Sequence, residues 1–186
     1  MISLVVPTRN RAHTLKRVAR SFFEQDDVGE IVFVIDGGSD DTAELLHRVA
    51  ADFPATRLVI VRNETRLGAS QSRNLGVART TNAHILFCDD DEYLEPGYAR
   101  TCLAKLLEYD AGAVSGRRVY MREGETPQAA LRRFGAGLRR AAPFNWTICE
   151  LINGAKFAGD LALPFTNAVI LTRRELLERF PFDGHY

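Results

Sequence analysis

The chain is short of cysteine, of net charge and of long apolar runs, and each shortage closes off a class of function. Three cysteines, Cys88, Cys102 and Cys149, lie far apart without a C-x-x-C pair. An odd, scattered set argues against a disulfide framework and a zinc site alike, and leaves reduced thiols in a core as the default. The 24 basic residues are cancelled by 24 acidic ones. Nucleic-acid binders show a basic excess or a basic face, so no nucleic-acid partner is expected. No apolar run approaches the roughly 20 residues that span a bilayer, and Met1 to Pro7 lacks a basic leader followed by a long apolar region. A cytoplasmic location is the resulting expectation. A glycine-rich turn after the first apolar run is missing too: the run leads into Pro7-Thr8-Arg9-Asn10, which counts against a hydride-transferring dehydrogenase.

What is present alternates between two periods. Ile2 to Val6 is a short apolar strand, which Pro7 is expected to end because proline cannot continue a central ladder. Leu15, Val18, Ala19 and Phe22 then fall at i, i+3, i+4 and i+7, one face of a helix. Ile31 to Ile35 is the next strand, and Leu46, Val49, Ala50 and Phe53 the next helical stripe, with Ser39 or Asp40 as its expected N-cap. Leu58 to Val61 and His84 to Phe87 read as strands with a short helix, Gly68 to Ala78, between them. After Pro96 a helix buries Ala99, Cys102, Leu103 and Leu106. Strands are expected over Ala113 to Tyr120 and Asn167 to Thr172, and a helical turn over Arg173 to Arg179. Residues 121 to 165 carry no sustained period, which suits a functional or mobile loop. At 186 residues this is one domain of ordinary size. Its pattern predicts an α/β fold, a mostly parallel open sheet with helices on both faces.

Four consecutive acids, Asp89-Asp90-Asp91-Glu92, follow the apolar run His84 to Cys88 directly. In an extended chain Asp89 and Asp91 point to the same side. Carboxylates so close repel one another unless a cation, donor groups or water offsets the cost, and magnesium or manganese with a substrate diphosphate is an efficient remedy. A solvated acidic turn capping the following helix is the plainer alternative. With strand order 3-2-1-4, the order reverses beside strand 1, so Pro7 to Asn10, Asp36 and Asp89 to Asp91 share one rim, where open α/β sheets bind ligands.

On these residues the chain resembles a family 2 glycosyltransferase of the GT-A type. Val5-Val6-Pro7-Thr8-Arg9-Asn10-Arg11 resembles the V-P-x-Y-N-R opening, with Thr8-Arg9 in place of the small residue and Tyr. Val34 to Thr42 is similar to V-D-D-G-S-x-D-x-T, with Gly37 replacing the second acid. Gly68 through Gly76 matches G-x-x-x-A-R-N-x-G, and Phe87 to Glu92 with Pro96-Gly97 matches the D-x-D segment. The stretch from Arg173-Arg174-Glu175 to Phe182-Asp183 resembles the family's R-R…F-D element, with Phe180-Pro181 a departure.

The resemblance implies an inverting transfer of a sugar from a nucleoside-diphosphate sugar, a UDP-sugar first, to a hydroxyl of a saccharide or lipid-linked acceptor. It implies that Pro7, Thr8 and Asp36 cradle the base with Arg9 and Arg73 nearby. Asp89 and Asp90 would contact ribose, and Asp91 with Asp89 would hold Mn2+ or Mg2+. Plainer roles stand beside these: a turn or cap for Asp36, a surface ion pair for Arg73, structural places for His13, His47 and His84, and a core thiol for Cys88. His185 lies where some related enzymes place a metal ligand. Leu131 to Trp146, with Arg132-Arg133, Arg139-Arg140 and several apolar residues, suits peripheral contact with an anionic membrane, against an ordinary acceptor loop with solvated arginines. The family's acidic base motif follows the F-D element, and no matching acid follows Asp183. The expectation is therefore a single GT-A domain, 1–186, truncated at its C-terminal end, that binds nucleotide but transfers poorly, with Asp160 and Asp183 the remaining candidates for a base. A non-catalytic sugar-nucleotide-binding domain and a nucleotidyltransferase of similar fold are the competing readings.

Overall fold

The computed structural model describes residues 1–136, 144–145, 150–151, 160, 162 and 169–185. In chain order the elements are β1 Ile2–Thr8, α1 Ala12–Phe23, β2 Val28–Asp36, α2 Thr42–Ala50, β3 Arg57–Asn63, α3 Ala69–Arg79, β4 His84–Phe87, α4 Tyr98–Glu108 and β5 Ala113–Val114. They continue with α5 Pro127–Ala136, β6 Phe144–Asn145, β7 Glu150–Leu151, β8 Ile170–Arg173 and α6 Arg174–Arg179. The chain divides into two compact units, 1–114 with 168–186, and 115–167.

The first unit is built on a six-stranded sheet of order β3-β2-β1-β4-β8-β5. β1 pairs in parallel with β2 and β4, β2 in parallel with β3, and β8 runs antiparallel to both β4 and β5. The apolar runs of β1 and β2 are continuous because each strand feeds two cores. Leu4, Val6, Ile31 and Phe33 join Leu15, Phe22 and Leu46 from α1 and α2, together with Cys102 and Leu106 from α4, on one face. Val5, Val32, Val34, Ile85 and Phe87 join Val77 of α3 on the other, where Leu177 of α6 and Phe182 also pack. Each side chain so buried contributes about 1.5–3 kcal/mol. Gly76 of α3 lets that helix lie close: a Cβ there would stand 2.4 Å from Val5 Cγ1 and 3.3 Å from Val34 Cγ2.

Three local expectations are corrected. β1 does not stop before Pro7, which pairs with Val34 within the strand. Val5 accepts the Cys88 N–H from the β4 side, so alternation puts the donor-less Pro7 nitrogen on that same side. The β1–β4 ladder has already ended at Val5–Phe87, so nothing is lost. Neither Ser39 nor Asp40 occupies the N-cap position of α2, which is Asp41 and makes no side-chain cap bond. Asp40 still serves this end, accepting the Thr42 N–H at 3.3 Å and its hydroxyl at 2.7 Å. The strand expected over Ala113 to Tyr120 is only Ala113–Val114, because β8 offers a partner only to those two residues.

A cluster at the opposite end of the strands had no place in the sequence reading. Glu30 is 2% exposed. It accepts from the Ser3 hydroxyl and from the Thr81 N–H and hydroxyl, and it pairs with Arg57 Nη1 at 3.2 Å. Burial pushes this carboxyl up, but the Ser3 and Thr81 donors with Arg57 outweigh burial, and the group is held below the ordinary glutamate value.

The second unit contains α5 and the antiparallel β6–β7 pair, Phe144 opposite Leu151. Here Arg133 grips Glu125 in a fork, Nε to Oε1 at 2.9 Å and Nη2 to Oε2 at 2.8 Å, and its Nη2 also donates to the Tyr120 carbonyl. Arg133 is therefore not one of the free surface cations on which the membrane expectation drew. Arg139, Arg140, Trp146 and Cys149 lie outside the described residues. Among the described residues no helix is long and apolar enough to cross a membrane.

Candidate functional site

The carboxyl ends of β1, β2 and β4 meet where the strand order reverses, and the loops that leave them are tied together by side chains. Asn10, held at φ 51°, accepts the Ser39 N–H through Oδ1 at 2.9 Å. Asp40 Oδ2 accepts the Ala12 N–H at 2.9 Å, so one carboxylate serves the first turns of both α1 and α2. Carboxylates are favoured there because the first N–H groups of a helix have no partner within it. Burial raises Asp40, and the Thr42 and Ala12 donors more than reverse that.

Asp36 ends β2 and closes the neighbouring loop. Its Oδ1 accepts from Leu67 N at 2.8 Å and from Asn63 Nδ2 at 3.1 Å, and its Oδ2 from Gly68 N at 2.8 Å. Burial works against ionisation, but those donors with nearby Arg66 keep its carboxyl below the usual range. Gly37 follows at φ +69°, with Arg66 N only 3.1 Å from where a Cβ would stand. Glycine is required there both by the left-handed backbone and by the close approach.

Arg73 on α3 reaches the acidic stretch. Its Nη2 lies 2.9 Å from Asp89 Oδ1, in a pair that is largely buried. The guanidinium stands 5.7 Å from the centre of the Phe182 ring, and that ring meets Phe87 edge-on at 5.1 Å. Asp90 is pushed above the ordinary aspartate value by burial, with Asp91 and Asp89 adding to the rise and Thr8 and Arg11 opposing it. The buried hydroxyl of Ser72, 0% exposed as a residue, has no hydrogen-bond partner, and that of Thr8, 4% exposed, interacts only with the Asp90 carboxyl. A buried polar group left unpaired costs about 1–3 kcal/mol. Such groups are rare in a folded chain.

These parts enclose a cleft of about 440 Å³. All eight residues singled out from the sequence line it: Pro7, Thr8, Arg9, Asp36, Arg73, Asp89, Asp90 and Asp91. Sequence reasoning missed Arg11, Arg66, Gly68, Ala69 and Ser72, which line it as well. Ser72 and Gly68 carried a signal, since both stand within the segment that matched G-x-x-x-A-R-N-x-G. Arg66 carried none. His185 does not line the cleft; it is 95% exposed and bonded to Asp183 at 2.9 Å. Asp160 is exposed and belongs to the other unit.

The donor set suits a hard divalent cation in one respect. Asp89 and Asp91 offer carboxylate oxygens to the same cleft. Among the described residues no three His, Cys, Asp or Glu groups are gathered to enclose an ion. An ion here would need phosphate oxygens and water to complete its shell, which is how magnesium is usually held.

Sheet order and cleft together define an open-sheet α/β protein with a cleft at the strand-order reversal. The model of the family described as Glycosyl transferase family 2 matches residues 3–180, and the chain belongs to that family. It is 31% identical over 96 residues to an uncharacterized glycosyltransferase of Haemophilus influenzae, covering 52% of this chain and 31% of that protein. It is 30% identical over 109 residues to the succinoglycan biosynthesis protein ExoU of Rhizobium meliloti, covering 59% and 30%. The chain thus spans about a third of the length of these curated relatives. Among solved structures, the mannosyltransferase PcManGT from Pyrobaculum calidifontis in complex with GDP-Man and Mn2+ aligns with TM-score 0.68 and 21% identity, over 98% of this chain and 47% of that one. S. aureus TarS 1-349 in complex with UDP aligns with TM-score 0.63 and 18% identity, over 99% and 50%. Both share the fold described above, which is of the GT-A type.

Proposed function

We propose that this chain forms the nucleotide-sugar-binding part of a glycosyltransferase that moves a sugar from a nucleoside-diphosphate sugar to an acceptor hydroxyl with inversion. The observation that carries the reading is the one cleft in which Asp36, Asp89, Asp90 and Asp91 face Arg9, Arg11, Arg66 and Arg73. Pro7, Thr8, Arg9 and Asp36 hold the base with Arg73 beside it, and Asp89 and Asp90 take ribose hydroxyls. Asp36 Oδ1 already accepts two bonds and Oδ2 one, so of about four acceptor positions one is left, enough for a single N–H such as that of uracil. A UDP-sugar is therefore the first donor to test.

Asp91, with Asp89, would hold Mn2+ or Mg2+. When bound, such an ion neutralises the charge that grows on the departing nucleoside diphosphate. In inversion the acceptor oxygen bonds to the anomeric carbon as the bond to the diphosphate breaks, and a base takes the hydroxyl proton. The acceptor is a saccharide or a lipid-linked hydroxyl. The membrane contact expected from 131–146 is retained as a proposal for the acceptor side, with a peripheral site of action. The test is release of nucleoside diphosphate from a panel of sugar nucleotides with manganese, with and without saccharide acceptors. Release that depends on an acceptor establishes transfer, binding without release fits a nucleotide-sugar-binding part alone, and no binding to any member refutes the reading.

A further inference from the structure

Among α3, β4 and the segment after α6, four contacts converge on Phe182, two on its backbone and two on its ring. Asn74 donates through Nδ2 to the Phe182 carbonyl at 2.8 Å and accepts the Phe182 N–H through Oδ1 at 3.0 Å. One amide thus satisfies both backbone groups of a residue far away in sequence. Three residues earlier on the same helix, Gln71 Nε2 donates to the Gly184 carbonyl at 3.0 Å. The ring so held packs edge-on against Phe87, the last residue of β4, and lies beneath the Arg73 guanidinium. Arg73 in turn reaches Asp89, two residues beyond Phe87.

We infer that Asn74 and Phe182 are positioning residues that hold the Arg73 guanidinium in place against Asp89 before any ligand arrives. The physical ground is entropy. A long side chain that must be immobilised on binding loses rotamer freedom at that moment, and a site that has already immobilised it does not lose that on binding. The ring provides a face for the cation, which its electron-rich surface attracts. The ring alone would be a poor shelf on a loose segment, and the two-way amide bond fixes it. Gln71 secures the strap further along without touching Arg73. Asn74 thereby earns its place in the segment that matched G-x-x-x-A-R-N-x-G.

Two measurements test this, and the second rests on the proposed nucleotide site. In side-chain NMR of the whole chain, the Arg73 guanidinium should show hindered rotation and a ring-shifted resonance. Both should be lost in Asn74→Ala and in Phe182→Leu, and kept in Gln71→Ala. Phe182→Leu retains apolar volume beneath the sheet and guards against a failure of Asn74→Ala to fold. An Arg73 signal unchanged in both folded variants overturns the inference. In calorimetric titration with UDP, Asn74→Ala should weaken binding about tenfold in the parent chain and not at all in an Arg73→Ala background. Equal loss in both backgrounds assigns Asn74 a merely structural role and overturns it as well. A parent chain that binds no nucleoside diphosphate refutes the proposed function, while the NMR result still decides the role of Asn74.

Discussion

The Asp36 carboxylate at the end of β2 accepts the N–H of Gly68, the residue that opens α3, at 2.8 Å. With Leu67 N and Asn63 Nδ2 on its other oxygen, this one side chain spans the floor of the cleft and fixes the loop that forms its wall. Asp36→Ala should therefore act twice. Removing the acceptor should cost about 1–3 kcal/mol in urea unfolding, the usual penalty for buried donors left unpaired. It should also weaken UDP binding. A variant with undiminished stability would show that the loop finds other acceptors.

Asp90 is strained in the opposite sense, since burial holds its carboxyl above the ordinary value. A group whose folded pKa is raised contributes stability that is present below the unfolded pKa and lost as pH rises through the folded one. At neutral pH the ionised carboxylate is therefore a liability for folding. Asp90→Asn should raise the melting temperature at pH 7, with each kcal/mol relieved appearing as about 2–4 °C in a chain of this size, while weakening nucleotide affinity. The gain should shrink on acidification towards the ordinary aspartate range. A melting temperature lowered by the substitution at neutral pH would contradict this account.

Glu30 supplies the contrasting case, far from the cleft. Its pKa is depressed, so its stability is present above the ordinary glutamate value and lost as pH falls through the folded value. Glu30→Ala leaves the Ser3 hydroxyl and the Thr81 N–H without their shared acceptor and breaks the pair with Arg57. Because Arg57 is solvent-exposed, the loss is that of the buried donors left unpaired, typically about 1–3 kcal/mol. Thermal unfolding between pH 3 and 7 checks both parts: the parent chain should lose stability below the ordinary glutamate value, and the variant should lose less over the same range.

Much of this architecture was legible in the residues because burial on both faces writes continuous apolar runs into β1, β2 and β4, and the alternation with helical stripes writes the sheet type. The position of the rim followed from strand order, and all eight chosen residues line one cleft. What stayed hidden depends on contacts between distant residues. Nothing in Asn74 announces that it will hold Phe182, and nothing near Asp36 in sequence shows that Leu67 and Gly68 will donate to it. Glu30 did leave a trace, a lone acid just before the apolar run Ile31 to Ile35, where a charge can be buried only with partners. Pro7 misled because its cost depends on which neighbour its nitrogen faces, which only the register reveals.

The metal assignment yields the last prediction. Asp91 lines the cleft beside Asp89, whose Oδ1 is already drawn to Arg73, so Asp91 is the carboxylate proposed to take the cation. Asp91→Asn conserves size and relieves repulsion within the Asp89-Asp90-Asp91 run, so the fold should be intact by melting temperature. Calorimetric titration with UDP should show manganese strengthening binding to the parent chain, and the variant should lose that strengthening by on the order of tenfold. Its affinity measured with a chelator present should equal that of the parent, because Asp91 is assigned to the ion and not to the nucleotide. If manganese strengthens UDP binding equally in both chains, Asp91 does not hold the ion, and Asp89 becomes the carboxylate to substitute next.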